Sequence, residues 1–430
     1  MPLLTIRPWL NRATPFWFTL YTALAAFSAY TCIFAFRKTF AVGTFEGYYF
    51  AGVSYKVWLI IAQVLGYGVA KFIGIKVVSE LAAHHRLRGI VMMVSIAGIS
   101  WLFFAITPPP YNIIFLFTNG LPLGMVWGMV FGYLEGRRTT EVLGAALSVS
   151  FIFSGGLCRS VGSFLMQRWH VPEFWMPFAS ACLFAVPLVI FLLLLDQVPP
   201  PNQEDERLRT RRQPMSGKER VHFLSTFGPG IVMFSLAYLL LTVYRDFRDN
   251  FSAEVWTALG YGKSPSIYSA SEIPITLFLL VIIGSLILIK NNRMALFIIH
   301  GIVALGFLLI GVSTYLFEEN LLSPLTWMIM IGTGLYMGYV PFNSIFFDRM
   351  LASFQYVGTV GFIMYVADST GYVGSISVLL IKEFSGLQIS WLEFFTHMGY
   401  WVAAAGFGLI CGSMAYFYRK MNYRLLDRSL

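Results

Sequence analysis

Twelve apolar stretches run through the sequence, and each approaches the roughly 20 residues that a helix needs to cross a lipid bilayer. The chain has 430 residues, of which 57% are hydrophobic and only 12% are charged, about half the charged fraction of a typical soluble domain. A fold in water cannot bury so much apolar surface. We therefore predict an all-α integral membrane protein that crosses the bilayer many times.

The apolar stretches fall into two sets of six, separated by a polar loop. The first six predicted spans are 14–36, 52–77, 89–106, 111–134, 142–166 and 174–195. The second six are 225–243, 267–288, 294–317, 325–347, 353–381 and 394–417. We expect 12 transmembrane helices arranged as two six-helix bundles.

The loops between the spans differ in charge from one side of the membrane to the other. Most Lys and Arg residues outside the spans lie on the side that holds both termini and the loops at 76–88, 137–138 and 290–293. Cytoplasmic loops carry such an excess, and an even number of spans leaves both termini on one side. We predict a multi-pass protein of the bacterial cytoplasmic (inner) membrane with both termini in the cytoplasm. This topology accounts for the net charge of +9 without nucleic acid as a partner.

The loop between the two sets of spans is rich in Pro, Gln, Glu and Arg. This composition is typical of a solvated linker. We predict an N-terminal bundle at 1–196, a basic cytoplasmic linker at 197–222 and a C-terminal bundle at 223–430. The first and the last are called the first half and the second half below. The arginines of the linker set the topology or contact anionic lipid headgroups of the bilayer.

Short strings recur between the two halves. Phe36-Arg37-Lys38-Thr39-Phe40 matches Phe247-Arg248-Asp249-Asn250-Phe251, 211 residues further on. The string from Gly120 to Gly124 matches the one from Gly334 to Gly338, at an offset of 214. Such repeats indicate a duplicated six-helix unit. Two pseudo-symmetric halves with a site near the midplane are the plan of the major facilitator fold.

Several ionisable side chains lie inside or at the ends of the apolar spans, where each costs about 3 kcal/mol on insertion scales. They are Arg37, Lys38, Lys56, Lys71, Arg159, Arg245, Asp246, Arg248, Asp249, Glu272 and Asp368. Groups of this kind usually face a partner or a water-filled cavity, so each is a candidate functional residue.

Two spans carry their polar side chains on one face, because the spacings of 3, 4 and 7 residues match the helical period. One set is Lys56, Gln63, Tyr67 and Lys71, and the other is Asp368, Tyr372 and Ser375. Polar faces on several helices predict a shared hydrated cavity.

Seven of the eleven charges in the spans are positive and four are negative, so a buried cavity needs an anionic counter-charge. A small polyanionic solute would supply it. Arginine suits phosphate because its planar fork can bind two oxygens at once. One arginine near the end of the first helix of each half would place an arginine pair between the two bundles.

Structural explanations compete with this interpretation. Side chains that snorkel to the interface would explain Arg37, Lys38, Lys56, Arg245 and Arg248. Ion pairs would explain Arg159 with Glu272 or another acid, and Asp246 and Asp249 with the neighbouring arginines.

The string from Phe36 to Phe40 resembles the Arg-Lys-x-Phe motif of the organophosphate:phosphate antiporters of the major facilitator superfamily. Tyr67-Gly68-Val69-Ala70-Lys71-Phe72 is similar to that family's Tyr-Gly-x-x-Lys-Phe in the second helix. The resemblance implies that Arg37 and a seventh-helix arginine, either Arg245 or Arg248, hold a substrate phosphate. It also implies a supporting electrostatic role for Lys38 and Lys71. Glu272 corresponds to a carboxylate in the eighth helix of that family, but no local motif supports this match.

The chain also departs from that family. A histidine that the family often places in the fifth helix is absent, and Arg159 is the nearby charge. The motif that follows the second helix is degraded to the string from Gly74 to Glu80. These departures indicate a divergent bacterial member, and its substrate cannot be inferred from the substrates of that family.

Taken together, the sequence predicts a secondary active transporter of a small anionic, phosphorylated solute that works by alternating access as a monomer. The predicted substrate-binding residues are Arg37, Lys38, Lys56, Gln63, Tyr67, Lys71, Arg159, Arg245 and Arg248. The predicted coupling or ion-pair residues are Asp246, Asp249, Glu272 and Asp368. The alternative is a membrane sensor that binds its ligand without transport. We expect no enzymatic activity, cofactor or metal, because no nucleotide motif, catalytic constellation or metal-ligand spacing is present.

Overall fold

A computed structural model describes residues 6–81, 83–137, 139–201, 205, 217–354, 361–384 and 389–426. The first half contains α1 (Arg7–Leu10), α2 (Pro15–Lys38), α3 (Tyr55–Glu80), α4 (Arg86–Ile106), α5 (Ile114–Phe131), α6 (Thr140–Arg168) and α7 (Met176–Asp196). The rest contains α8 (Gly217–Asn250), α9 (Ser252–Ala258), α10 (Ile267–Leu288), α11 (Asn292–Glu318), α12 (Pro324–Pro341), α13 (Phe347–Ser353), α14 (Gly361–Phe384) and α15 (Trp391–Leu426). The chain is thus almost entirely helical, as predicted.

Within the described residues, eleven helical segments are long and apolar enough to cross a membrane. They coincide with eleven of the twelve predicted spans. The remaining predicted span, 353–381, overlaps α14, whose 24 residues extend about 36 Å at 1.5 Å per residue. The all-α membrane fold class is therefore confirmed.

Local side-chain caps fix where two of the spans begin. The Asn291 side chain accepts the backbone N–H groups of Arg293 and Met294 at the start of α11. The Ser323 hydroxyl accepts the N–H of Thr326 at the start of α12. Each cap satisfies N–H groups that have no partner within the helix.

The predicted end of the seventh span, which carries several of the candidate residues, is too early by seven residues. We predicted that it ends at residue 243, whereas α8 continues to Asn250 and includes four charged residues beyond that point. A hydropathy window ends a span where charges begin. In the folded protein two of the four, Asp246 and Arg248, are buried and the other two are partly buried, all with protein partners, so the helix continues.

A two-stranded hairpin replaces the predicted start of the second span at residue 52. Strand β1 (Tyr49–Phe50) pairs antiparallel with β2 (Val53–Ser54). The turn residues Ala51 and Gly52 have φ values of 52° and 77°, as a two-residue hairpin turn of the type I′ kind requires. Helix α3 therefore begins only at Tyr55.

The tenth span is interrupted by a π-helical turn, Phe342–Phe346, between α12 and α13. It follows Pro341, which has no N–H to donate to the preceding turn. Short π-helical insertions in α-helices occur frequently at functional sites.

Contacts divide the chain into two compact units. Unit 1 comprises residues 1–209, 249–276 and 379–387, and unit 2 comprises residues 210–248, 277–378 and 388–430. Unit 1 therefore joins the first half to two segments of the second. One contains the end of α8, α9 and the start of α10, and the other contains the end of α14. The predicted division at 1–196, 197–222 and 223–430 stays a prediction, and most of its linker lies outside the described residues.

An aromatic cluster in the core of unit 1 fixes the loop that follows α2. The Phe45 ring lies 5.7 Å from Tyr55 and 5.2 Å from Phe174 between ring centroids. Phe104 extends the cluster to Trp101, at 5.5 Å. The loop is thereby packed against the ends of α3, α4 and α7.

Candidate functional site

One tyrosine ring in unit 1 carries two cations. The Arg37 Cζ lies 3.7 Å from the centroid of the Tyr67 ring, and the Lys71 Nζ lies 5.6 Å from it. Tyr67 and Lys71 are four residues apart on α3 and share one face. The structure thus brings together three of the predicted binding residues, and a place where two positive charges meet favours an anion.

Hydrogen bonds hold the end of α2 in position for this stack. Gln63 Nε2 donates to the Arg37 carbonyl at 2.8 Å and to Asn119 Oδ1 at 3.0 Å. Asn119 Nδ2 donates in turn to the carbonyls of Phe36 and Ala97. Gln63, which we predicted to bind substrate, therefore positions Arg37 through its backbone. The role of Asn119 could not be predicted from the sequence, because a neutral amide inside an apolar span carries no charge signal.

Glycines allow α3 and α5 to approach closely beside this group. A Cβ at Gly120 would run into the Gln63 carbonyl, and one at Gly66 would run into the Phe117 carbonyl. The Gly120–Gly124 string that marks the internal repeat therefore serves helix packing at this point.

Unit 2 contains a second arginine stacked on a tyrosine. The Arg245 Cζ lies 4.3 Å from the centroid of Tyr339. Its Nη2 and Nε donate to Asp246 Oδ1 at 2.7 and 3.1 Å. The other carboxylate oxygen, Oδ2, accepts the Ser375 hydroxyl at 2.9 Å. Asp246 thus neutralises the arginine beside it, in agreement with the structural explanation that it forms an ion pair with a neighbouring arginine.

A tyrosine pair and an asparagine support this second stack. The rings of Tyr238 and Tyr339 are stacked at 5.1 Å between centroids. Asn343 Nδ2 donates to the Tyr238 hydroxyl at 3.1 Å and to the Tyr339 carbonyl at 3.2 Å. Asn343 lies in the π-helical turn. Sequence reasoning missed all three residues, although the spacing of four between Tyr339 and Asn343 was available as a signal.

The other predicted arginine of α8 has different surroundings. Arg248 is only 1% exposed within unit 2, and its Nη2 donates to the Met328 carbonyl at 3.3 Å. In unit 1, Lys38 Nζ donates to Asn250 Oδ1 at 2.6 Å. Both side chains are therefore buried and hydrogen-bonded to protein groups.

Arg159 forms two ion pairs in unit 1. Its Nη1 lies 3.2 Å from Asp249 Oδ1, and its Nη2 lies 3.2 Å from Glu272 Oε1. Its Nε donates to the Gly155 carbonyl. Pairing with Glu272 is the structural alternative that the sequence left open. Asp249 pairs across to α6 and not with a neighbouring arginine, because the last turn of α8 faces α6.

Lys56 is placed apart from the stack on Tyr67. Its Nζ lies 2.6 Å from Glu254 Oε1 and donates to the Ala41 carbonyl at 3.0 Å. Lys56 precedes Tyr67 by eleven residues of α3, about 16 Å along the helix axis. The predicted polar face of α3 thus divides into two groups. Of the second predicted face, Ser375 contacts Asp246, and the Asp368 side chain lies outside the described residues.

In the described parts of the chain, no three His, Cys, Asp or Glu side chains are grouped so that they could hold a metal ion.

A sequence profile of a family described as a family of unknown function, DUF5690, matches residues 39–420. The chain belongs to this family. The match includes nearly all the described helices. It includes Tyr67, Lys71, Arg245 and Tyr339, but it begins after α2 and so leaves out Arg37. No curated protein sequence is significantly similar to the chain.

Solved structures show which fold this DUF5690 chain adopts. A D-xylose–proton symporter has a TM-score of 0.61 at 16% identity, over 93% of this chain and 97% of the other. The nucleoside transporter NupG has a TM-score of 0.59 at 14% identity, over 92% and 98%. A bacterial homologue of the human drug peptide transporters PepT1 and PepT2 has a TM-score of 0.59 at 12% identity, over 95% and 98%.

At these identities the likeness establishes the fold alone. The neighbours are major facilitator superfamily proteins, so the DUF5690 chain has the major facilitator fold, as predicted. None of these three is named as an organophosphate antiporter, and that finer resemblance stays a prediction.

The two arginines that lie on tyrosine rings, Arg37 and Arg245, do not occupy equivalent positions in the internal repeat. By the repeat register Arg37 corresponds to Arg248, yet Arg245, three residues earlier, is the residue of α8 that stacks on a tyrosine. Three residues are close to one helical turn. A stacked arginine is thus present in the first helix of each half, at positions that differ by nearly one turn.

Proposed function

We propose that this protein is a secondary transporter that moves a small anionic, phosphorylated solute by alternating access, with Arg37 and Arg245 as the arginines that bind the anion. The proposal rests on an arrangement that is present in each unit. An arginine near the end of the first membrane-spanning helix of a half lies on a tyrosine ring. The fold supports it, since the proteins named above that share the fold are a symporter and transporters.

Stacking prepares a guanidinium to bind phosphate. The N–H donors of arginine lie in the plane of the group, so a ring on its face holds its orientation without using the donors. Two of those donors can then meet two phosphate oxygens. An arginine fixed in this way loses less conformational freedom on binding than a mobile one.

Arg245 is favoured over Arg248 as the second-half ligand. Arg248 is fully buried and donates to a backbone carbonyl, whereas Arg245 is only partly buried. Two Arg245 nitrogens bind Asp246, and Nη1 donates to none of the described residues. That nitrogen is available to an anion.

Lys71 strengthens the preference for a multiply charged anion. It shares the Tyr67 ring with Arg37, and like charges repel strongly where water is scarce. A phosphate group with nearly two negative charges relieves that repulsion better than a single carboxylate. Lys71 is therefore assigned to electrostatic support of the anion, and Tyr67 to the orientation of Arg37.

Asp246 gives the site a means of coupling. Its Oδ1 lies 2.7 Å from Arg245 Nη2 and neutralises that arginine. An anion that binds Arg245 competes with Asp246 for the same donors. The displaced carboxylate must then take a proton or depend on its other partners, among them the Ser375 hydroxyl. Competition of this kind would link solute binding to proton uptake or to exchange for a second anion.

The remaining predicted residues are assigned to structure in this proposal. Lys38, Lys56, Arg159 and Arg248 are engaged by protein partners, as are Asp249 and Glu272. Arg159, Asp249 and Glu272 form one buried ion-pair group between the two sequence halves within unit 1. Asp368 stays a coupling candidate by sequence.

The test is uptake by proteoliposomes that contain the purified full chain. Radiolabelled inorganic phosphate, glycerol phosphate, hexose phosphates and dicarboxylates are supplied outside, with unlabelled anion or a proton gradient as the driving force. We expect saturable uptake of at least one phosphorylated solute and slower uptake of dicarboxylates. Binding of a phosphorylated solute without flux would identify a sensor, and the absence of both binding and flux for every anion would contradict the proposal.

A further inference from the structure

A buried ion pair joins α9, a short helix of the second half, to the first half within unit 1. Glu254 of α9 places Oε1 at 2.6 Å from Lys56 Nζ, and the side chains are 14% and 1% exposed. Lys56 Nζ also donates to the Ala41 carbonyl. Glu254 was not among the predicted residues, because it lies outside the apolar spans.

Most of the nearby hydrogen bonds between the two sequence halves in unit 1 run in one direction, and the Ser269 N–H, which donates to Ser160 Oγ at 3.0 Å, is an exception. First-half groups donate and second-half groups accept in the pairs Lys38–Asn250, Arg159–Asp249, Arg159–Glu272, Ser54 N–Glu383 and Gln167–Gly262. Three of these five pairs use a carboxylate as acceptor. Attachment of the second-half segments therefore depends on the charge state of acids.

Glu254 lies in a group whose charges do not balance. The charged side chains that face it in the described part of the chain are Lys56, from α3, and Glu173, from the segment before α7. The phenol of Tyr268 faces it from α10. Glu173 is held in place because its Oε1 accepts the N–H groups of Thr44 and Phe45. With every group ionised, two carboxylates face one ammonium.

One carboxyl oxygen of Glu254 also has no donor. Its Oε2 is buried and accepts no hydrogen bond from the described residues. A buried anionic oxygen without a donor is unfavourable, and a proton on that oxygen removes the charge. Burial raises the pKa of Glu254, an effect that outweighs the lowering by Lys56, and Glu173 raises it further.

We propose that Glu254 is a proton-binding site, and that the proton it takes up from the aqueous side of α9 holds this helix on the first half of the chain. The ligand is a single proton, and no bond other than the O–H of the carboxyl forms or breaks. The proposal concerns the attachment of α9 alone, so it stands or falls independently of the anion that the protein moves.

The direction of the pH effect follows from linkage. A carboxyl whose pKa is raised in the attached state binds its proton more tightly there than when α9 is detached and hydrated. Attachment is then strongest below the ordinary pKa of 4.5 and weakens as the pH rises through the pKa of the attached state. Alkaline conditions leave the unbalanced negative charge in place and favour detachment.

A disulfide reporter can measure this attachment in the full chain. The hydroxyl oxygens of Ser160 on α6 and Ser269 on α10 are 2.8 Å apart, and α10 follows directly after α9. A chain with Ser160→Cys and Ser269→Cys, and with the four native cysteines replaced by serine, is oxidised between pH 5 and pH 8. The rate of cross-linking reports how much of the time α10 lies on α6.

Two isosteric variants separate the effect of Glu254 from the pH dependence of the thiols. Glu254→Gln removes the proton site, and Glu173→Gln leaves one carboxylate facing one ammonium. Each is compared with the parent double-cysteine chain at every pH, so the thiol chemistry cancels. We expect the parent rate to fall relative to both variants as the pH rises, by about tenfold for each pKa unit of the shift. Glu254→Gln should show a shallow curve, and Glu173→Gln should lose only part of the pH dependence, because burial, the larger cause of the raised pKa of Glu254, is unchanged there.

Equal pH curves in the parent and the two variants would overturn the proposal, as would a parent rate that rises with pH relative to them. If Glu254→Gln does not yield folded protein, Glu173→Gln decides alone, because it leaves Glu254 and its pair with Lys56 in place. If the chain shows the expected cross-linking pattern but takes up no solute, the transport proposal is contradicted and the proton site is supported.

Discussion

At the scale of single residues, the main feature is a charged group oriented by an aromatic ring. Arg37 lies on Tyr67 in unit 1 and Arg245 lies on Tyr339 in unit 2. A cation over an aromatic face is stabilised by about 2 kcal/mol when water is excluded. In the proposed anion site the ring would therefore act indirectly, through the position of the guanidinium.

Replacement of the ring under Arg37 tests this role. Tyr67→Leu removes the aromatic face, and we expect the KM for the transported anion to rise by about five- to thirtyfold, the equivalent of about 1–2 kcal/mol. Tyr67→Phe keeps the face and is the matched control, with an expected change of less than about threefold. Uptake kinetics in proteoliposomes measure both, and an equal loss in the two variants would show that the hydroxyl matters and the ring does not.

The sequence predicted the charged members of these groups, since a charge in an apolar span stands out by its insertion cost. Gln63, Tyr67 and Lys71 also followed from a spacing of four on one helix face. It did not predict Asn119, Tyr339 or Asn343, because neutral polar residues are common in such spans. Nor did it predict Glu254, because an acid in a loop is ordinary until the fold buries it.

At the scale of elements, the contact between α6 and α10 in unit 1 depends on a missing side chain. A Cβ at Gly156 would lie 2.7 Å from the Glu272 Cβ and 2.8 Å from the Tyr268 carbonyl oxygen. Both distances are shorter than van der Waals contact. Gly156 thus lets α10 approach closely enough for the ion pair of Glu272 with Arg159, one turn along α6.

A single added methyl group should weaken this contact. We expect Gly156→Ala to lower the free energy of unfolding by about 1–3 kcal/mol, as overpacking does, and to slow cross-linking between Ser160→Cys and Ser269→Cys. The control is Gly284→Ala in the same α10, where a Cβ meets nothing within 4 Å. That variant should unfold at the same or a slightly higher temperature, because alanine favours helix. Thermal unfolding in detergent compares the two, and equal melting temperatures would contradict this account of the contact.

Most membrane-spanning helices could be predicted from the sequence, but the residues at which they begin and end could not. Span length and hydropathy give the existence of a helix, because the bilayer requires about 20 apolar residues. The ends depend on local chemistry, as at the Ala51-Gly52 turn before α3. They also depend on burial, as in the charged end of α8, which a hydropathy window excludes.

At the scale of the whole molecule, the number of spans and the repeated strings were sufficient to predict the major facilitator fold, and the solved structures confirm it. The solute could not be predicted to the same degree. One fold serves different solutes, here a sugar, a nucleoside and peptides by the names of the neighbours. The solute is decided by a few side chains, and in the function proposed above these are the side chains around Arg37 and Arg245. The orientation in the membrane stays a prediction from loop charge.

The most direct test of the central claim is the uptake of a phosphorylated solute by proteoliposomes containing Arg37→Lys or Arg245→Lys. Lysine keeps the positive charge and loses the planar fork, so we expect the KM to rise by about 10- to 100-fold in each variant, the equivalent of about 1.5–3 kcal/mol. The exposed Arg293→Lys is the control and should transport like the parent chain. Unchanged uptake in both Arg37→Lys and Arg245→Lys, with folded protein in the liposomes, would contradict the proposal that these arginines bind the anion.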